Sequence, residues 1–159
     1  MRALLLLSAL LSPVVAAGEY PLSLTGYGPA RLGMTIGELE QALQTRLNTQ
    51  VPELEGCTYA EPQEEIALML QDGRLVRIDV LKPGIRTLSG AAVGSSETEI
   101  EAMYPGRLQK SPHAYGAGSY FTLQSEDGRY GLRFETQDGK VTSFYVGLMQ
   151  AIRLAEGCS

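Results

Sequence analysis

The sequence is poor in the residues from which most catalytic and metal sites are built. Its 159 residues include no tryptophan, two cysteines and one histidine. Structural zinc sites use four Cys or His ligands, often in close-spaced pairs, whereas Cys57 and Cys158 lie far apart. The glycine-rich stretch Gly116–Gly118 precedes no predicted helix that could hold a phosphate. We therefore predict no metal and no cofactor.

Basic residues are also scarce. Lysine and arginine total 13, against 18 aspartates and glutamates. Removing residues 1–17, as argued next, takes away Arg2 and leaves 12 basic residues. Nucleic acids and anionic lipids bind basic surfaces. We therefore expect no nucleic-acid partner.

Long apolar runs are absent except at the amino end. Arg2 is followed by an apolar run over residues 3–11 and by small residues that end at Ala17. This order is typical of a signal peptide, predicted here as residues 1–17. The run is shorter than the roughly 20 residues of a membrane-spanning helix, and no cysteine follows it to carry a lipid. We expect export to the periplasm without a stable membrane anchor; secretion is the alternative.

The remaining residues, 18–159, have the length of a single domain. The whole sequence is 44% hydrophobic and 19% charged, which supports a folded core. In an oxidising compartment Cys57 and Cys158 are expected to pair. The predicted disulfide tethers the carboxyl-terminal tail to the first half of the chain.

The sequence contains an internal similarity. Residues 31–40 align with residues 92–101, and both segments have glycine, a hydroxyl residue and then glutamate at the same spacing. The aligned pairs are Gly33 with Gly94, Thr35 with Ser96, and Glu38 with Glu99. A hydroxyl residue followed three positions later by glutamate is a capping box, which predicts a helix start in each copy.

A second matching pair follows in the same order. The segments Gln71–Leu75 and Gln137–Val141 each contain an Asp-Gly dipeptide typical of a hairpin turn. Their offset is five residues larger than that of the helix starts, so we place five additional residues in a predicted loop over 109–119. The sequence therefore predicts two tandem repeats, at about residues 27–83 and 88–149.

Hydrophobic periodicity defines the elements of each repeat. Ile36, Leu39, Leu43 and Leu47 predict a first helix, and residues 97–104 a shorter second one. Strands are predicted at 66–71, 75–81, 120–124, 130–136 and 141–147. The predicted fold is α+β, with two helix-plus-antiparallel-meander repeats and the helices on one face of the sheet.

The segment Gly33–Glu40, followed by a helix and a meander, resembles the repeat of the SmpA/OmlA envelope proteins and of the β-lactamase inhibitory proteins. The tail 155–158 also looks like that of uncharacterised exported proteobacterial proteins. The first resemblance implies a tandem-repeat fold that binds another protein or helps to maintain the envelope. The chain departs from these families in lacking a lipid-bearing cysteine and in pairing its cysteines across the repeats.

Strand alternation turns a tyrosine-bearing sheet face away from the predicted helices. Tyr120, Arg133 and Tyr145 lie on this face, and Tyr115 lies in the predicted loop. Tyrosine and arginine are enriched at protein interfaces, so these four residues are the candidate partner-binding set. Tyrosine also favours exposed strands for its β propensity alone, which is the competing interpretation. Arg77 and Asp79 would extend the face or form a cross-strand pair of little energetic consequence.

We expect a non-catalytic periplasmic domain that binds another envelope or extracellular protein. Inhibition of an envelope hydrolase is one form this binding could take, and an envelope assembly or maintenance factor is the alternative function. His113 is the one candidate for acid–base catalysis, but no nucleophile motif accompanies it, so a solvated loop histidine is the preferred interpretation. The sequence does not predict an enzyme.

Overall fold

The computed structural model describes residues 20–49 and 56–158, so the predicted signal peptide lies outside the described residues. The elements in chain order are β1 (Leu22–Ser23), β2 (Gly26–Tyr27), β3 (Ala30–Arg31), α1 (Ile36–Leu43), β4 (Asn48–Thr49), β5 (Cys57–Gln63), β6 (Ile66–Gln71), β7 (Arg74–Val80), α2 (Glu97–Met103), β8 (Gln109–Pro112), β9 (Ser119–Gln124), β10 (Tyr130–Gln137), β11 (Lys140–Leu148) and α3 (Met149–Ile152). No helix in these two ranges is long and apolar enough to cross a membrane.

One antiparallel sheet dominates the molecule. Its eight strands run in the order β4-β5-β6-β7-β11-β10-β9-β8, and β1 to β3 form a small separate sheet. Four of the strands follow α1 and four follow α2. The last strand of the first group is β7, and the last strand of the second group is β11. These two strands pair with each other at the centre of the sheet, where Ile78 lies opposite Val146. The fold is therefore α+β and mostly antiparallel.

Both long helices begin at the predicted capping boxes. The Thr35 hydroxyl accepts from the Glu38 amide at 3.4 Å, and the Glu38 carboxylate accepts from the Thr35 amide at 2.8 Å. Ser96 and Glu99 make the same two contacts at 3.2 and 2.6 Å. Each box satisfies two amides that a helix start leaves without intrahelical partners.

The first helix is shorter than its apolar periodicity predicts. It ends at Leu43 because Gln44 adopts the left-handed conformation, with φ of 53°. Leu47, predicted as the last residue of the helical stripe, lies beyond the helix but is still buried in the core. The helical spacing of Leu47 therefore reflects its burial in the core, although it is buried from a loop and not from the helix.

The main core lies between the sheet and the two helices. Leu39 of α1 and Ile100 of α2 are fully buried against one face of the sheet. The strand residues of this core include all six that alternation predicts to face the helices: Phe121, Leu123, Leu132, Phe134, Phe144 and Val146. The predicted direction of these side chains is confirmed.

The opposite sheet face, which carries the candidate tyrosines, is covered in part. Helix α3 packs on it, and its Ala151 joins Met69 and Val76 in a second small core. Gly131 makes this approach possible, because a Cβ at that position would lie 2.4 Å from Met149 Sδ and 3.4 Å from Ile152 Cγ1. We call the sheet face on which α3 packs the cleft face, after the cleft described below.

The predicted loop over 109–119 is wrong in its first third. Gln109–Pro112 forms β8, an exposed edge strand that pairs with β9. Its composition of Gln, Lys, Ser and Pro carries no hydrophobic alternation, because neither side of this strand is buried. Only residues 113–118 connect β8 to β9.

Candidate functional site

The carboxyl-terminal segment, residues 149–158, lies across the cleft face and is covalently attached there. Cys57 in β5 and Cys158 form the predicted disulfide, with Cα atoms 5.3 Å apart. Next to it, Gly157 adopts a positive φ of 64° and fits closely against Tyr59, whose hydroxyl would lie 2.0 Å from an added Cβ. The disulfide confirms the predicted pairing, and such bonds are typical of proteins outside the cytoplasm.

Arg77 is the centre of a buried polar network beneath this segment. Its guanidinium contacts both carboxylate oxygens of Asp79, at 3.0 and 2.9 Å. It also donates to the carbonyls of Ala151 and Leu154, at 3.1 and 2.8 Å, and to the Tyr59 hydroxyl at 2.9 Å. All five N–H donors of Arg77 are therefore used inside the protein.

Burial governs the protonation of this network. Burial disfavours the charged form of Arg77 and by itself would lower the pKa of the guanidinium. The Asp79 carboxylate outweighs this effect, so the pKa of Arg77 is raised above its ordinary value. Burial likewise raises the pKa of Asp79, and the guanidinium acts against that rise. Desolvation also raises the pKa of the Tyr59 hydroxyl. The two close contacts between the guanidinium and the carboxylate make Arg77 and Asp79 a buried ion pair.

A cleft of about 340 Å³ opens beside Arg77, between the sheet and the carboxyl-terminal segment. Its polar lining consists of Tyr59, Glu61, Arg77, Asp79, Glu135, Ser143, Tyr145 and Glu156. Its apolar lining consists of Ala67, Leu81 and Ala155. The cleft is thus built from β5, β6, β7, β10, β11 and the tail, with carboxylates as its commonest charged group.

Tyr145 is an unusual member of this lining. Its side chain is almost fully buried, and its ring lies under the Arg77 guanidinium at 4.5 Å. Desolvation, reinforced by the charge of Glu135, raises the pKa of its hydroxyl well above the ordinary value. Arg133 lies near enough to act against that rise, but the buried oxygen has no hydrogen bond of normal geometry within the described residues.

The loop between β8 and β9 forms one rim of the cleft. Tyr115 is 67% exposed, and its hydroxyl donates to the cleft residue Glu156, which raises the pKa of the tyrosine. His113 stacks on Tyr120 with ring centroids 4.5 Å apart. Arg133 lies over the same tyrosine ring, at 4.7 Å. The rim therefore links the loop, the sheet and the tail.

His113, Glu135 and Ser143 lie close together but do not form a nucleophilic triad. Ser143 Oγ donates directly to Glu135 Oε2 at 3.2 Å, and His113 Nε2 lies 3.5 Å from the same oxygen. In a triad the hydroxyl would donate to the imidazole. The other imidazole nitrogen accepts the Tyr115 amide at 3.1 Å, so the ring holds the loop in place. His113 is partly buried against Tyr120, unlike the solvated loop residue that we expected.

The four candidate partner-binding residues lie on one face of the structure, but they differ in exposure. Tyr115 is exposed and Arg133 is half-buried, whereas Tyr120 and Tyr145 are only 6% and 3% exposed. Tyr120 is covered by His113 and Arg133, and Tyr145 by Arg77. Substitution of Tyr120 or Tyr145 by alanine would therefore destabilise the fold. We had expected all four candidate side chains to be accessible to a partner.

Sequence reasoning undervalued Arg77 and Asp79. They were expected either to extend the outward sheet face or to form a cross-strand pair of little energetic consequence, yet both are buried and they pair with each other on one strand. A signal was available, because β7 reads Leu75-Val76-Arg77-Ile78-Asp79-Val80, and apolar residues on both faces indicate a strand covered on both sides. Within the described residues, no three Asp, Glu, His or Cys side chains converge as metal ligands.

Comparisons with known proteins place the fold but not the function. No family model and no curated protein matches the chain. A solved structure of the uncharacterized protein yfeY from Escherichia coli is similar, with a TM-score of 0.55 and 18% identity over 80% of this chain and 99% of that one. An extracellular protein containing a SCP domain from Bacillus anthracis matches with a TM-score of 0.49 and 9% identity over 89% of this chain and 50% of that one. The chain thus shares the fold of the first of these structures.

Proposed function

We propose that this protein is a non-catalytic binding domain of the periplasm that recognises another protein with its cleft face. One observation carries the proposal. The large hydrophobic side chains exposed within the described residues are Leu81, Leu88, Tyr115 and Leu154, and three of these four border the cleft or belong to the segment across it. Apolar groups grouped around a polar depression are typical of interaction surfaces.

The rigidity of the cleft face supports the same proposal. The tail that forms one wall is fixed by the disulfide and by the two hydrogen bonds from Arg77. The loop that forms the rim is fixed by the stacking of His113 on Tyr120. A surface whose side chains are already ordered loses little conformational entropy when a partner binds. If the partner is an envelope hydrolase, occlusion of its active site would inhibit it.

We also propose that the two halves of the domain arose by tandem duplication. Gly33 donates to the Leu75 carbonyl and Gly94 to the Val141 carbonyl, at 2.8 Å in both halves. The hairpin residues Asp72 and Asp138 have φ of 50° and 51°. In each half the strand after the hairpin has a one-residue bulge. The bulge of β7 lies opposite residues 69–70 of β6, and the bulge of β11 lies opposite residues 135–136 of β10. Shared irregularities of this kind support common descent better than shared regular strands.

The experiment that tests the binding proposal is partner capture with matched variants. Mature protein carrying Tyr115→Ala and Arg133→Ala, which alter the rim but not the buried floor, is compared with wild type in crosslinking within producing cells, followed by mass spectrometry. We expect one protein to be crosslinked by wild type and lost with the variant. Glu101→Gln, on the exposed side of α2, is the matched control. Equal crosslinking by all three proteins, or none by wild type, would contradict the proposal.

A further inference from the structure

The loop at the rim of the cleft, residues 113–118, is held at its start by a histidine side chain. We call these residues the rim loop. His113 Nδ1 accepts a hydrogen bond from the Tyr115 amide at 3.1 Å. An amide N–H can only donate, so Nδ1 carries no proton in this contact and the ring is neutral. The contact has the form of an Asx turn, with an imidazole nitrogen in place of the oxygen of Asn or Asp.

The groups around His113 come from the neighbouring strands and the tail. Glu135 of β10 lies 3.5 Å from Nε2 and also accepts from the Ser143 hydroxyl of β11. Tyr120 of β9 stacks on the imidazole, and Arg133 of β10 lies over the same tyrosine ring. Glu135 therefore favours a positive imidazole, and Arg133 opposes it. The other titratable groups close to the rim loop or its strands are Tyr115, Glu156 of the tail, Tyr145 of β11, and Lys110 of β8, which pairs with Glu97.

Protonation of His113 would remove its contact with the rim loop. Histidine is the side chain whose charge ordinarily changes roughly between pH 5 and 8, and this one is 21% exposed, so solvent protons reach it. The charged ring carries a proton on both nitrogens, so at Nδ1 two donors would face each other and the bond to Tyr115 would break. At Nε2 the contact with Glu135 becomes charge-assisted. Protonation therefore strengthens the contact of the ring with β10 at the expense of its contact with the rim loop.

We infer that the rim loop is a pH-sensitive part of the binding surface, in which protonation of His113 releases the backbone at Tyr115 and weakens capture of the partner. The inference rests on the proposed function, in which Tyr115 is the exposed residue of the rim. A loop that has lost an internal hydrogen bond must be ordered again when a partner binds, and this ordering costs affinity. The backbone bond from His113 to the Gly118 carbonyl, at 3.1 Å, does not involve the ring, so the base of the loop stays closed.

NMR spectroscopy of the mature, disulfide-bonded protein tests the switch without any partner. The ring nitrogens of His113 and the exchange protection of the Tyr115 amide are followed from pH 8.0 to pH 5.0. We expect this protection, corrected for the intrinsic pH dependence of exchange, to fall about fivefold as Nδ1 takes up its proton. The His113 amide, bonded to Gly118, should stay protected and is the internal control. Unchanged Tyr115 protection while the ring titrates, or a ring that stays neutral down to pH 5.0, would overturn the inference.

Two variants identify the group responsible. His113→Asn places an oxygen near the position of Nδ1, so it should form an Asx turn that protects the Tyr115 amide over the whole pH range. Glu135→Gln keeps the side-chain size but removes the charge beside Nε2, so protection should be lost at a lower pH than in wild type. Glu101→Gln, on the exposed side of α2, is the matched control and should leave the transition unchanged. The wild-type loss of protection in His113→Asn would assign the transition to another group and overturn the inference.

Partner capture tests the regulation itself. Crosslinking in extracts of producing cells should yield about fivefold less product at pH 5.5 than at pH 7.5 with wild type, and equal amounts with His113→Asn. The same ratio for both proteins would overturn the regulation even where a partner is captured at both pH values. Absence of any crosslinked protein would contradict the proposed function, whereas the NMR transition would still establish the switch in the rim loop.

Discussion

At the scale of single residues, Arg77 decides how the cleft face is built. Burying an ion pair costs several kcal/mol in desolvation for each ion, and that cost is offset only by good geometry and further hydrogen bonds. Arg77 meets this condition through two contacts to Asp79 and two to the tail carbonyls of Ala151 and Leu154. Its main effect is therefore to fix the position of the carboxyl-terminal segment relative to the sheet.

Removal of the counter-ion should be severe. Asp79→Asn leaves the buried charge of Arg77 uncompensated, and we expect the free energy of unfolding to fall by about 3–5 kcal/mol in urea denaturation. Glu64→Gln, which breaks the exposed ion pair with Lys82, is the control and should leave the unfolding midpoint unchanged. Equal midpoints for the two variants would show that Arg77 does not depend on Asp79.

At the scale of elements, the two capping boxes should contribute similarly to stability. Thr35→Ala and Ser96→Ala each remove the hydroxyl that accepts an amide at the helix start. We expect each substitution to cost about 1 kcal/mol, and the pair to be additive because the boxes lie in separate helices. Urea unfolding of the two single variants and the double variant measures this, and a cost confined to one helix would show that the other does not need its cap.

The same boxes predict a pH dependence. Hydrogen bonds from the cap residues lower the pKa values of Glu38 and Glu99 below their ordinary 4.5. Since the folded value is the lower one, the stabilisation is present above pH 4.5 and is lost as the pH falls through the folded pKa. Carbon-detected NMR titration should find both carboxyls titrating below pH 4.5. In the Thr35→Ala and Ser96→Ala variants the pKa values should return only part of the way to the ordinary value, because the backbone amide of the cap residue still donates to the carboxylate. Ordinary values in wild type would contradict the capping geometry.

Helix α3 depends on one glycine beneath it. Gly131→Val would push against Met149 and Ile152, so we expect a loss of about 1–3 kcal/mol and faster amide exchange in α3. Gly37→Ala is the matched control, because it lies in α1 with no atom within 4 Å of the added Cβ. That substitution should instead stabilise the protein by about 0.5–1 kcal/mol. Unchanged exchange in α3 after Gly131→Val would show that the helix is not seated on this residue.

At the scale of the whole molecule, the disulfide should be the largest single constraint. Cys57 and Cys158 are separated by 101 positions, and closing so long a loop restricts the unfolded chain. Replacing both with alanine should lower the free energy of unfolding by about 2–4 kcal/mol. Urea denaturation measures this loss. Because the loss arises in the unfolded chain, hydrogen exchange should quicken for all amides that exchange by global unfolding, and an unchanged free energy of unfolding would contradict the prediction.

Sequence patterns predicted the parts of the fold whose burial is one-sided. Phe134 and Phe144 alternate with polar residues, and Thr35 and Ser96 precede amphipathic helices, so period and capping chemistry were sufficient. The cleft was not predictable in this way. It exists because α3 folds back over Gly131 and covers one end of a face that alternation marks as polar, and that contact joins residues distant in sequence.

The pairing of β7 with β11 at the centre of the sheet has a kinetic consequence. Ile78 must find Val146, so the sheet cannot be completed by joining neighbours along the chain. Contacts between such distant residues slow folding, because closing the loop between them costs conformational entropy before the contacts can stabilise the chain. Until then the final strand of the first half is an open edge able to pair with β11 of another chain. Refolding at high protein concentration should accordingly favour exchanged dimers over monomers, a competition that dilution would remove.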